Sequence, residues 1–404
     1  MSGVLAVVMA GGEGTRLMPL TVSRSKPAVP FAGSYRLIDF VLNNFVNSNI
    51  LKIYVLTQFK SQSLYLHLKK GWNINGLSGC FIDPIPAQMR LGKRWYDGTA
   101  DSVFQNLSFI QQENPDYICV FGSDHIYKMD VNQMLNYHKE KQAVLTIAAI
   151  KIPISKAKSL GVIEVDKDGR MVGFEEKPSN PHSIPGDPEH ALVSMGNYIF
   201  DPETLYNETQ KDNDNPYSVH DFGRDIIPEM LKDNKRVFVY DFSTNVIPGE
   251  NERQGYWRDV GDIDTYWQAH MDILSTPSKF SLYNPHWPLH TYYPPLPPVK
   301  FRSKDKSAVI NNSIISAGCY IKSATITHSV LGFECNVGNN TSLENVIIIG
   351  NVTIGDNCRL KNTIIDRDVS LSNGTIIGEE GGIVPDNAQV SANGIIVIRK
   401  GTRI

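Results

Sequence analysis

A glycine-rich segment close to two cations is the part of this sequence best suited to bind phosphate. Gly11, Gly12 and Gly14 lie within four residues, and Arg16 and Lys26 follow them. Closely spaced glycines permit a sharp turn whose backbone N–H groups can surround an anion, and the cations can neutralise further negative charge. The segment is neither a Walker A loop, which requires Gly-Lys-Ser/Thr, nor a GxGxxG dinucleotide loop. We interpret it as a triphosphate-binding turn, with a purely structural glycine turn as the alternative.

Two carboxylates far apart in the sequence are candidates for holding a divalent cation. Asp124 follows the apolar run Tyr117–Phe121, and Asp259 lies next to Arg258 in the motif YWRDVGD. In open α/β sheets, ligands bind beyond the carboxyl ends of the strands, and Mg²⁺ commonly takes one or two protein carboxylates together with phosphate oxygens. We therefore expect Mg²⁺ at Asp124, with Asp259 as a second ligand. The alternatives are a capping or turn role for Asp124 and a local ion pair between Asp259 and Arg258.

Other segments give weaker chemical indications. Lys177 lies in the segment FEEKP, where it could bind an anion or be a solvated surface charge. Tyr96 lies in WYDGTAD, where it could stack on a base or simply pack. The sequence contains no GxSxG elbow and no HExxH motif, and its ten histidines show no metal-ligand spacing with the cysteines. A covalent nucleophile is therefore not indicated.

Alternating strand-like and helix-like segments must position these residues. Short apolar runs predict strands at Val4–Ala10, Ile53–Thr57, Tyr117–Phe121 and Val144–Ile150. A stripe of apolar residues predicts a helix over 37–49, and another helical pattern covers 131–138. Because buried strands that alternate with helices are typical of parallel sheets, we expect a parallel α/β sheet. The segments 162–165 and 171–174 flank Asp168-Gly169, which predicts a hairpin.

The last quarter of the chain has a different pattern. Residues 285–300 contain six prolines, which favour a stiff extended linker that sets the distance between two domains. Beyond them, aliphatic residues recur every six positions, in series such as Leu343 and Ile349, or Val346, Val352, Cys358 and Ile364. This period predicts a triangular β-solenoid in which each side contributes one inward aliphatic residue, with a register break near 327–334. A β-sandwich is the alternative.

Length, charge and cysteine usage narrow the class of protein. The chain has 404 residues and a formal net charge of −3, so it lacks the basic excess of a nucleic-acid binder and is long enough for about two or three domains. The sequence contains no run of roughly 18 apolar residues, so no membrane span is predicted, and the amino terminus does not resemble a signal peptide. The five scattered cysteines argue against a disulfide framework. We expect a cytoplasmic protein that binds neither nucleic acid nor membrane.

The motifs together resemble those of bacterial glucose-1-phosphate adenylyltransferases, also called ADP-glucose pyrophosphorylases. The resemblance covers essentially the whole chain and rests on GGEGTRL, SKPAVPFAGSYRLIDF, PAQMR, WYDGTADSV, SDHIYKMD, FEEKP, SMGNYIF, YWRDVGD and WPLHTYYPPLPPVKF. It implies an α/β fold, with a Rossmann-like nucleotidyltransferase domain of mixed, mainly parallel sheet, followed by a left-handed parallel β-helix of hexapeptide repeats. The implied boundaries are 1–275 for the catalytic domain, 276–303 for a Pro-rich linker and 304–404 for the β-helix.

The resemblance also implies an activity, partners and site residues. The activity is Mg²⁺-dependent transfer of an adenylyl group from ATP to α-D-glucose 1-phosphate, giving ADP-glucose and pyrophosphate for glycogen biosynthesis. The enzyme would be a homotetramer regulated by small phosphorylated effectors. By motif match, the implied residues are Asp124 and Asp259 for metal; Arg16, Lys26 and Asp124 for catalysis; Gly161, Glu176, Lys177 and Ser194 for the sugar phosphate; Gly11, Gly12, Gly14, Thr15, Gln58, Tyr96 and Gly98 for the nucleotide; and Arg24, Arg36 and Arg367 for regulation.

The sequence departs from the family pattern at three positions. Ser123 replaces the glycine that many relatives have before the aspartate; we expect this small residue still to fit there, in a turn that differs from theirs. Ser23 and Pro30 stand where well-known relatives have lysine and histidine. These two changes remove donors from the regulatory phosphate site, so they weaken the case for sensitivity to fructose 1,6-bisphosphate without affecting catalysis.

Three other functions remain open from the sequence. Uridylyl-, thymidylyl- and guanylyltransferases share the fold, and the sequence does not exclude these activities because the choice of base depends on loop geometry. A non-catalytic regulatory subunit would be expected to have lost a site carboxylate or cation, and all of them are present here. An acyltransferase acting through the hexapeptide domain would need a catalytic histidine, and His328 lies where the repeat is predicted to break.

Overall fold

The computed structural model describes residues 3–74, 79–88, 94–250, 255–302 and 307–404 of the chain. Two predictions involve residues outside these ranges: Met89 and Arg90 of the PAQMR motif, and the boundary between linker and β-helix at 303 and 304. Within the described ranges, no helix is long and apolar enough to cross a membrane.

A large sheet with parallel central strands forms the core of the amino-terminal region. Its strand Val4–Ala10 runs parallel to Lys52–Thr57 on one side and to Tyr117–Gly122 on the other. Residues 5–8 are completely buried, and successive side chains contribute to two hydrophobic clusters, one on each face of the sheet. Burial on both faces explains why this strand is continuously aliphatic rather than alternating. The predicted parallel α/β core is confirmed.

Strands and helices alternate along this region. The strands are β1 (Val4–Ala10), β2 (Pro30–Phe31), β3 (Tyr35–Arg36), β4 (Lys52–Thr57), β5 (Phe81–Pro86), β6 (Tyr117–Gly122), β7 (His125–Tyr127), β8 (Leu145–Pro153), β9 (Gly161–Val165), β10 (Met171–Glu176), β11 (His190–Phe200), β12 (Val237–Asp241) and β13 (Trp257–Asp259). The helices are α1 (Leu37–Asn47), α2 (Gln62–Gly71), α3 (Thr99–Phe104), α4 (Leu107–Gln112), α5 (Val131–Glu140), α6 (Pro202–Asn213), α7 (Ile227–Lys232) and α8 (Ile263–Leu274). The predicted hairpin is present as β9 and β10, and the helix predicted over 37–49 ends slightly earlier, at Asn47.

The strand order brings the carboxyl ends of three parallel strands, β1, β4 and β6, to one edge of the sheet. The order is β10-β9-β11-β6-β1-β4-β5, with β8 pairing with both β11 and β12. β11 makes the sheet mixed, because it runs antiparallel to β6, β8 and β9. A separate pair, β7 and β13, is antiparallel and places Asp259 opposite His125. This pairing carries β13 from a distant part of the chain to the carboxyl end of β6.

Stacked parallel strands form the carboxyl-terminal region. They are β14 (Lys300–Phe301), β15 (Val309–Asn311), β16 (Ile314–Ile315), β17 (Tyr320–Ile321), β18 (Thr325–Thr327), β19 (Val330–Phe333), β20 (Asn336–Val337), β21 (Ser342–Glu344), β22 (Ile347–Gly350), β23 (Thr353–Ile354), β24 (Arg359–Lys361), β25 (Thr363–Ile365), β26 (Ser370–Leu371), β27 (Ile376–Ile377), β28 (Gln389–Val390) and β29 (Ile396–Ile398). Most strands pair in parallel with the strand three places further along, which generates three sheets around one hydrophobic interior. The predicted β-solenoid is confirmed.

The structure corrects the six-residue period on one side of this β-helix. Leu343 pairs with Leu360, so a coil contains 17 residues rather than 18, and the side between β21 and β22 is one residue shorter than the others. Ile348 and Ile365 therefore face the interior. Ile349 and Ile364, which the strict period had placed inward, belong to a cluster shared with the amino-terminal region. The six-residue register also slips within the predicted break at 327–334, because the interior residues Ile326 and Leu331 are five positions apart, but β19 keeps its parallel pairing with β22.

A shared hydrophobic cluster, rather than a spacer, joins the two regions. Phe31, Phe40 and Tyr266 of the amino-terminal region pack in one cluster with Ile347 and Ile349 of β22. The Pro-rich segment is itself attached to α1: the Asn43 side chain forms hydrogen bonds of 2.8 and 2.7 Å with the backbone O and N of His290. Direct packing therefore sets the relative position of the two regions, and the proposed role of linker stiffness is not needed.

A buried histidine at this junction makes stability depend on pH. The backbone N–H of Ala32 donates to His270 Nε2 at 3.0 Å, while His270 Nδ1 donates to the Tyr266 carbonyl at 2.9 Å. Burial lowers the pKa of His270 from 6.5 to about 4, despite the bond to Tyr266. Since the unfolded chain binds this proton more readily, the stability contributed by the neutral ring is present above pH 6.5 and is lost as the pH falls toward 4.

We expect the free energy of unfolding to fall by on the order of 3 kcal/mol per such histidine between pH 7 and pH 4. Burial lowers the pKa of His138 to about 4 as well, so it contributes a second share. Denaturant unfolding at several pH values would measure the slope, and His270→Gln should reduce it. His182→Gln, at a largely exposed position, is the control. An unchanged slope in His270→Gln would contradict the assignment.

Candidate active site

A cleft of about 510 Å³ lies at the sheet edge where β1, β4 and β6 end. Most of the predicted site residues line it: Gly11, Gly12, Arg16, Lys26, Gln58, Tyr96, Gly98, Asp124, Gly161, Glu176, Lys177, Ser194 and Asp259. They come from loops and strand ends spread over the amino-terminal region. The cleft therefore brings together the glycine turn, the candidate metal-binding carboxylates and the predicted sugar-phosphate residues.

The glycine turn is divided between the cleft and the protein behind it. Gly11 and Gly12 line the cleft, whereas Gly14 and Thr15 do not. Gly14 has a φ of 68°, and a Cβ at this position would lie 3.0 Å from Lys26 Cβ. The left-handed backbone and the close approach both require glycine here. Gly14 therefore shapes the turn against Lys26, and its contact with the nucleotide stays a prediction.

Lys26 and two carboxylates form the centre of the cleft. Lys26 Nζ lies 2.6 Å from Asp124 Oδ2 and 3.7 Å from Asp259 Oδ1. Asp124 follows β6 directly, and the pairing of β13 with β7 brings Asp259 beside it. Arg16 and Asp259 both lie close to Gly261. A Cβ atom added to this glycine would be 3.6 Å from the Arg16 guanidinium and 3.1 Å from the Asp259 carboxylate. The predicted convergence of residues 124 and 259 is therefore observed.

Electrostatics keeps this cluster ionised. Burial alone would raise the pKa of Asp124, but Lys26 and His125 lower it well below its usual value. Burial likewise disfavours the Lys26 ammonium, but the carboxylates of Asp124 and Asp259 raise its pKa above 10.5. The partners outweigh burial in both cases. Both groups are therefore charged at any physiological pH, as a site for polyphosphate and cation requires.

The hairpin of β9 and β10 forms the opposite wall of the cleft. Glu176 pairs with Gly161, where a Cβ would lie 2.5 Å from the Phe174 ring, so only glycine fits. Lys177 follows β10 with a φ of 50°, and its Nζ lies 2.8 Å from Glu176 Oε1. Ser194 Oγ accepts a hydrogen bond of 3.1 Å from the Gly196 N–H. Lys177, for which a solvated surface charge was the alternative, thus lines the cleft from a backbone in the left-handed region.

The predicted nucleotide-binding residues lie on two loops that hydrogen-bond to each other. The Tyr96 N–H donates to Gln58 Oε1 at 2.7 Å, and Gln58 Nε2 donates to the Tyr96 carbonyl at 3.4 Å. Gly98 has a φ of 110°, and a Cβ there would lie 2.2 Å from the His220 carbonyl oxygen. Gly11 lies beside both loops: a Cβ atom added to it would be 3.5 Å from the Gln58 side chain and 3.7 Å from the Tyr96 ring. These contacts fix the positions of the two loops at the cleft.

Several residues of the cleft were not predicted from the sequence. His125 lies beside both carboxylates, and Trp257 packs on its ring with a centroid separation of 5.0 Å. Asp221 and Gly223 also line the cleft, and Gly223 lies next to Glu176. His125 and Trp257 belong to motifs that were recognised, so their position next to Asp124 and Asp259 was the available signal. No comparable signal marked Asp221 and Gly223.

The three predicted regulatory arginines lie outside the cleft, at the junction with the β-helix. Arg24 is buried and contacts Asp366 at 2.9 Å, and its other terminal nitrogen, Nη1, is buried with no hydrogen-bond partner among the described residues. Burial lowers the pKa of Arg36 to about 10; Asp39 opposes this, while Arg24 and Arg367 lower it further. An anion bound here would reduce the repulsion among these cations and would accept a hydrogen bond from the unpaired Arg24 nitrogen.

Comparisons with known proteins identify the family. Residues 5–276 match the family described as Nucleotidyl transferase, and residues 297–398 match the GlmU-like, C-terminal hexapeptide family, in agreement with the predicted left-handed β-helix. The chain is 62% identical to glucose-1-phosphate adenylyltransferase of Photobacterium profundum, over 405 residues and the full length of both chains.

Other full-length relatives have the same name. Identity is 58% to glucose-1-phosphate adenylyltransferase 1 of Vibrio parahaemolyticus serotype O3:K6, over 100% of both chains. It is 44% to glucose-1-phosphate adenylyltransferase of an Anaeromyxobacter species, again over 100% of both chains. The domain matches, the full-length identities and the charged cleft agree, and the chain belongs to the glucose-1-phosphate adenylyltransferase family of nucleotidyltransferases.

Proposed function

We propose that this enzyme transfers an adenylyl group from ATP to α-D-glucose 1-phosphate, releasing pyrophosphate and forming ADP-glucose for glycogen biosynthesis. The observation that carries the proposal is the cluster of Lys26, Asp124 and Asp259, which lies between the glycine turn and the hairpin that bears Lys177. A nucleotide triphosphate placed on the turn and a sugar phosphate placed on the hairpin would meet at this cluster. The names of the full-length relatives support the choice of both substrates.

The reaction requires positioning and charge stabilisation more than covalent chemistry. A phosphate oxygen of glucose 1-phosphate attacks the α-phosphorus of ATP in line, and pyrophosphate leaves on the opposite side. Lys177 would bind the phosphate of the attacking sugar, and Glu176 orients the lysine through the 2.8 Å contact. Arg16, Lys26 and the N–H groups of the glycine turn would stabilise the negative charge on the departing pyrophosphate.

The carboxylates suit a divalent cation. Asp124, His125 and Asp259 each offer one donor atom, and these atoms lie within 4.8 Å of one another. Carboxylate oxygens are the ligands that Mg²⁺ prefers, so Asp124 and Asp259 would hold it. When bound, Mg²⁺ would neutralise charge on the phosphates as it builds up during transfer.

A nucleotide panel tests the proposed substrate pair. Pyrophosphate release is measured with glucose 1-phosphate, Mg²⁺ and, in turn, ATP, UTP, dTTP or GTP. We expect ATP to be preferred in kcat/KM by at least ~10-fold, because contacts to the base edge must separate nucleotides that share the same triphosphate. A preference for UTP or dTTP would replace the adenylyl assignment with a uridylyl or thymidylyl one. Absence of release with every nucleotide would contradict the proposal as a whole.

We also propose regulation by small phosphorylated metabolites, a homotetramer and a cytoplasmic location, as the family resemblance implies. The unpaired Arg24 nitrogen and the neighbouring Arg36 and Arg367 support an anion site at the junction between the two regions. Arg367 is the exposed member of the three and can be replaced without leaving a buried charge unpaired.

Replacing Arg367 with alanine should reduce the response to phosphorylated effectors. We expect the concentration of effector that gives half-maximal change in rate to rise by ~10-fold, the scale of losing one charge-assisted hydrogen bond. The measurement is the rate as a function of added inorganic phosphate and of a panel of sugar phosphates. Arg399→Ala, at another exposed arginine of the β-helix, is the control. Equal responses in all three proteins would remove Arg367 from the regulatory site.

A further inference from the structure

His125 lies between the two carboxylates that would hold the divalent cation. We propose that His125 is a third protein ligand of this cation and binds it through Nε2. The inference rests on the proposed function, because it concerns the cation of that same site. It adds a nitrogen ligand to a pair of carboxylates and therefore changes which cations the site should prefer.

The distances between the donor atoms suit a single ion. Nε2 of His125 lies 3.5 Å from Asp124 Oδ1 and 3.9 Å from Asp259 Oδ1. Ligands that are each about 2.1 Å from an ion are separated by about 3 Å when they are adjacent and about 4 Å when they are opposite. The two separations from Nε2 lie within these limits, and all three donor atoms lie within 4.8 Å of one another. One ion can therefore contact all three side chains with only small movements of the side chains.

The pairing of Lys26 leaves one oxygen of each carboxylate directed toward His125. Lys26 Nζ pairs with Asp124 Oδ2 at 2.6 Å. The other oxygen of this carboxylate, Oδ1, faces His125. Asp259 Oδ1 lies 3.7 Å from the same ammonium and 3.9 Å from His125 Nε2, so it too faces the imidazole. A divalent cation on the His125 side would therefore find one oxygen from each carboxylate and one ring nitrogen.

Packing, rather than hydrogen bonding, orients the imidazole. Nδ1 of His125 is buried and has no hydrogen-bond partner among the described residues. The ring packs on Trp257, and Gly122 and Gly196 approach it so closely that their Cβ positions would lie 3.4 and 3.7 Å from Cε1. Buried imidazoles normally have a partner on at least one nitrogen. A ring held by packing with Nε2 directed at two carboxylates is explained if the partner is a cation.

The nitrogen ligand has a consequence for metal preference. Mg²⁺ strongly favours oxygen ligands, whereas the first-row transition metals bind imidazole nitrogen with an affinity that rises from Mn²⁺ toward Cu²⁺, so even Mn²⁺ gains more from a nitrogen ligand than Mg²⁺ does. We therefore expect the enzyme without substrates to bind Mn²⁺ more tightly than Mg²⁺. Removal of the imidazole should reduce the affinity for Mn²⁺ much more than that for Mg²⁺.

Electron paramagnetic resonance of Mn²⁺ tests this ligand directly. The full-length enzyme is titrated with MnCl₂ alone, with Mg²⁺ as competitor, and pulsed measurements detect ¹⁴N coupling to bound Mn²⁺. We expect ¹⁴N coupling in the unsubstituted enzyme, its loss in His125→Asn, and a rise of ~10-fold or more in the Mn²⁺ dissociation constant of that variant. His182→Asn, which removes a largely exposed histidine, should match the unsubstituted enzyme.

The outcomes separate this proposal from the proposed function. Bound Mn²⁺ without nitrogen coupling in the unsubstituted enzyme would overturn the ligand assignment, and this measurement does not depend on how well any variant folds. If Asp124→Asn weakens Mn²⁺ binding while His125→Asn does not, only the histidine proposal fails. If neither substitution changes Mn²⁺ binding, the metal site of the proposed function fails as well.

Discussion

Replacement of Asp124 with asparagine should lower turnover by at least ~10²-fold, the scale of removing one central electrostatic group from an active site. The substitution keeps the shape of the side chain but removes the charge that pairs with Lys26 at 2.6 Å and faces His125 on its other side. Lys26 would then be left with Asp259, 3.7 Å away, as its nearest carboxylate among the described residues. Initial rates with saturating ATP, glucose 1-phosphate and Mg²⁺ measure the effect.

The control for this experiment is Asp168→Asn, at an exposed position in the turn between β9 and β10. It changes the net charge of the protein by the same amount without touching the cleft. Circular dichroism and the midpoint of unfolding should show that both variants are folded. Turnover in folded Asp124→Asn that equals that of the control would remove Asp124 from the catalytic site.

Replacement of Lys177 with alanine should act on one substrate only. Its side chain is about half exposed and its ammonium pairs with Glu176, so it can bind the phosphate of the sugar without breaking a fully buried pair. Loss of charge-assisted hydrogen bonds of this kind costs about 1.5–3 kcal/mol. We therefore expect the KM for glucose 1-phosphate to rise by ~10- to 100-fold, with the KM for ATP changing by less than ~3-fold.

Lys167→Ala, in the turn at the far end of the same hairpin, is the matched control and should leave both constants unchanged. Lys177→Arg should restore only part of the affinity, because a planar guanidinium cannot replace an ammonium held in one geometry. Equal increases in both KM values for Lys177→Ala would show that the lysine acts on the cleft as a whole and does not grip the sugar phosphate.

Features that depend on neighbours in the chain could be predicted from the sequence. The continuous aliphatic strand Val4–Ala10, the glycine turn after it and the repeats of the β-helix are local patterns, and each is present in the structure. The motif match also placed Lys26, Asp124 and Lys177 correctly in one cleft. Local patterns succeed here because backbone geometry and burial on both faces of a strand restrict the residue types within a few positions.

Features that depend on partners far away in the chain could not be predicted in this way. Hydrophobicity alone does not distinguish Ile348, which faces the interior of the β-helix, from Ile349, which is buried against the other region, because both surfaces exclude water. Gly14 turned out to pack against Lys26, and His125 acquired its neighbour Asp259 through the pairing of β7 with β13. These positions follow from long-range packing and strand pairing, for which no short segment of sequence contains the partner.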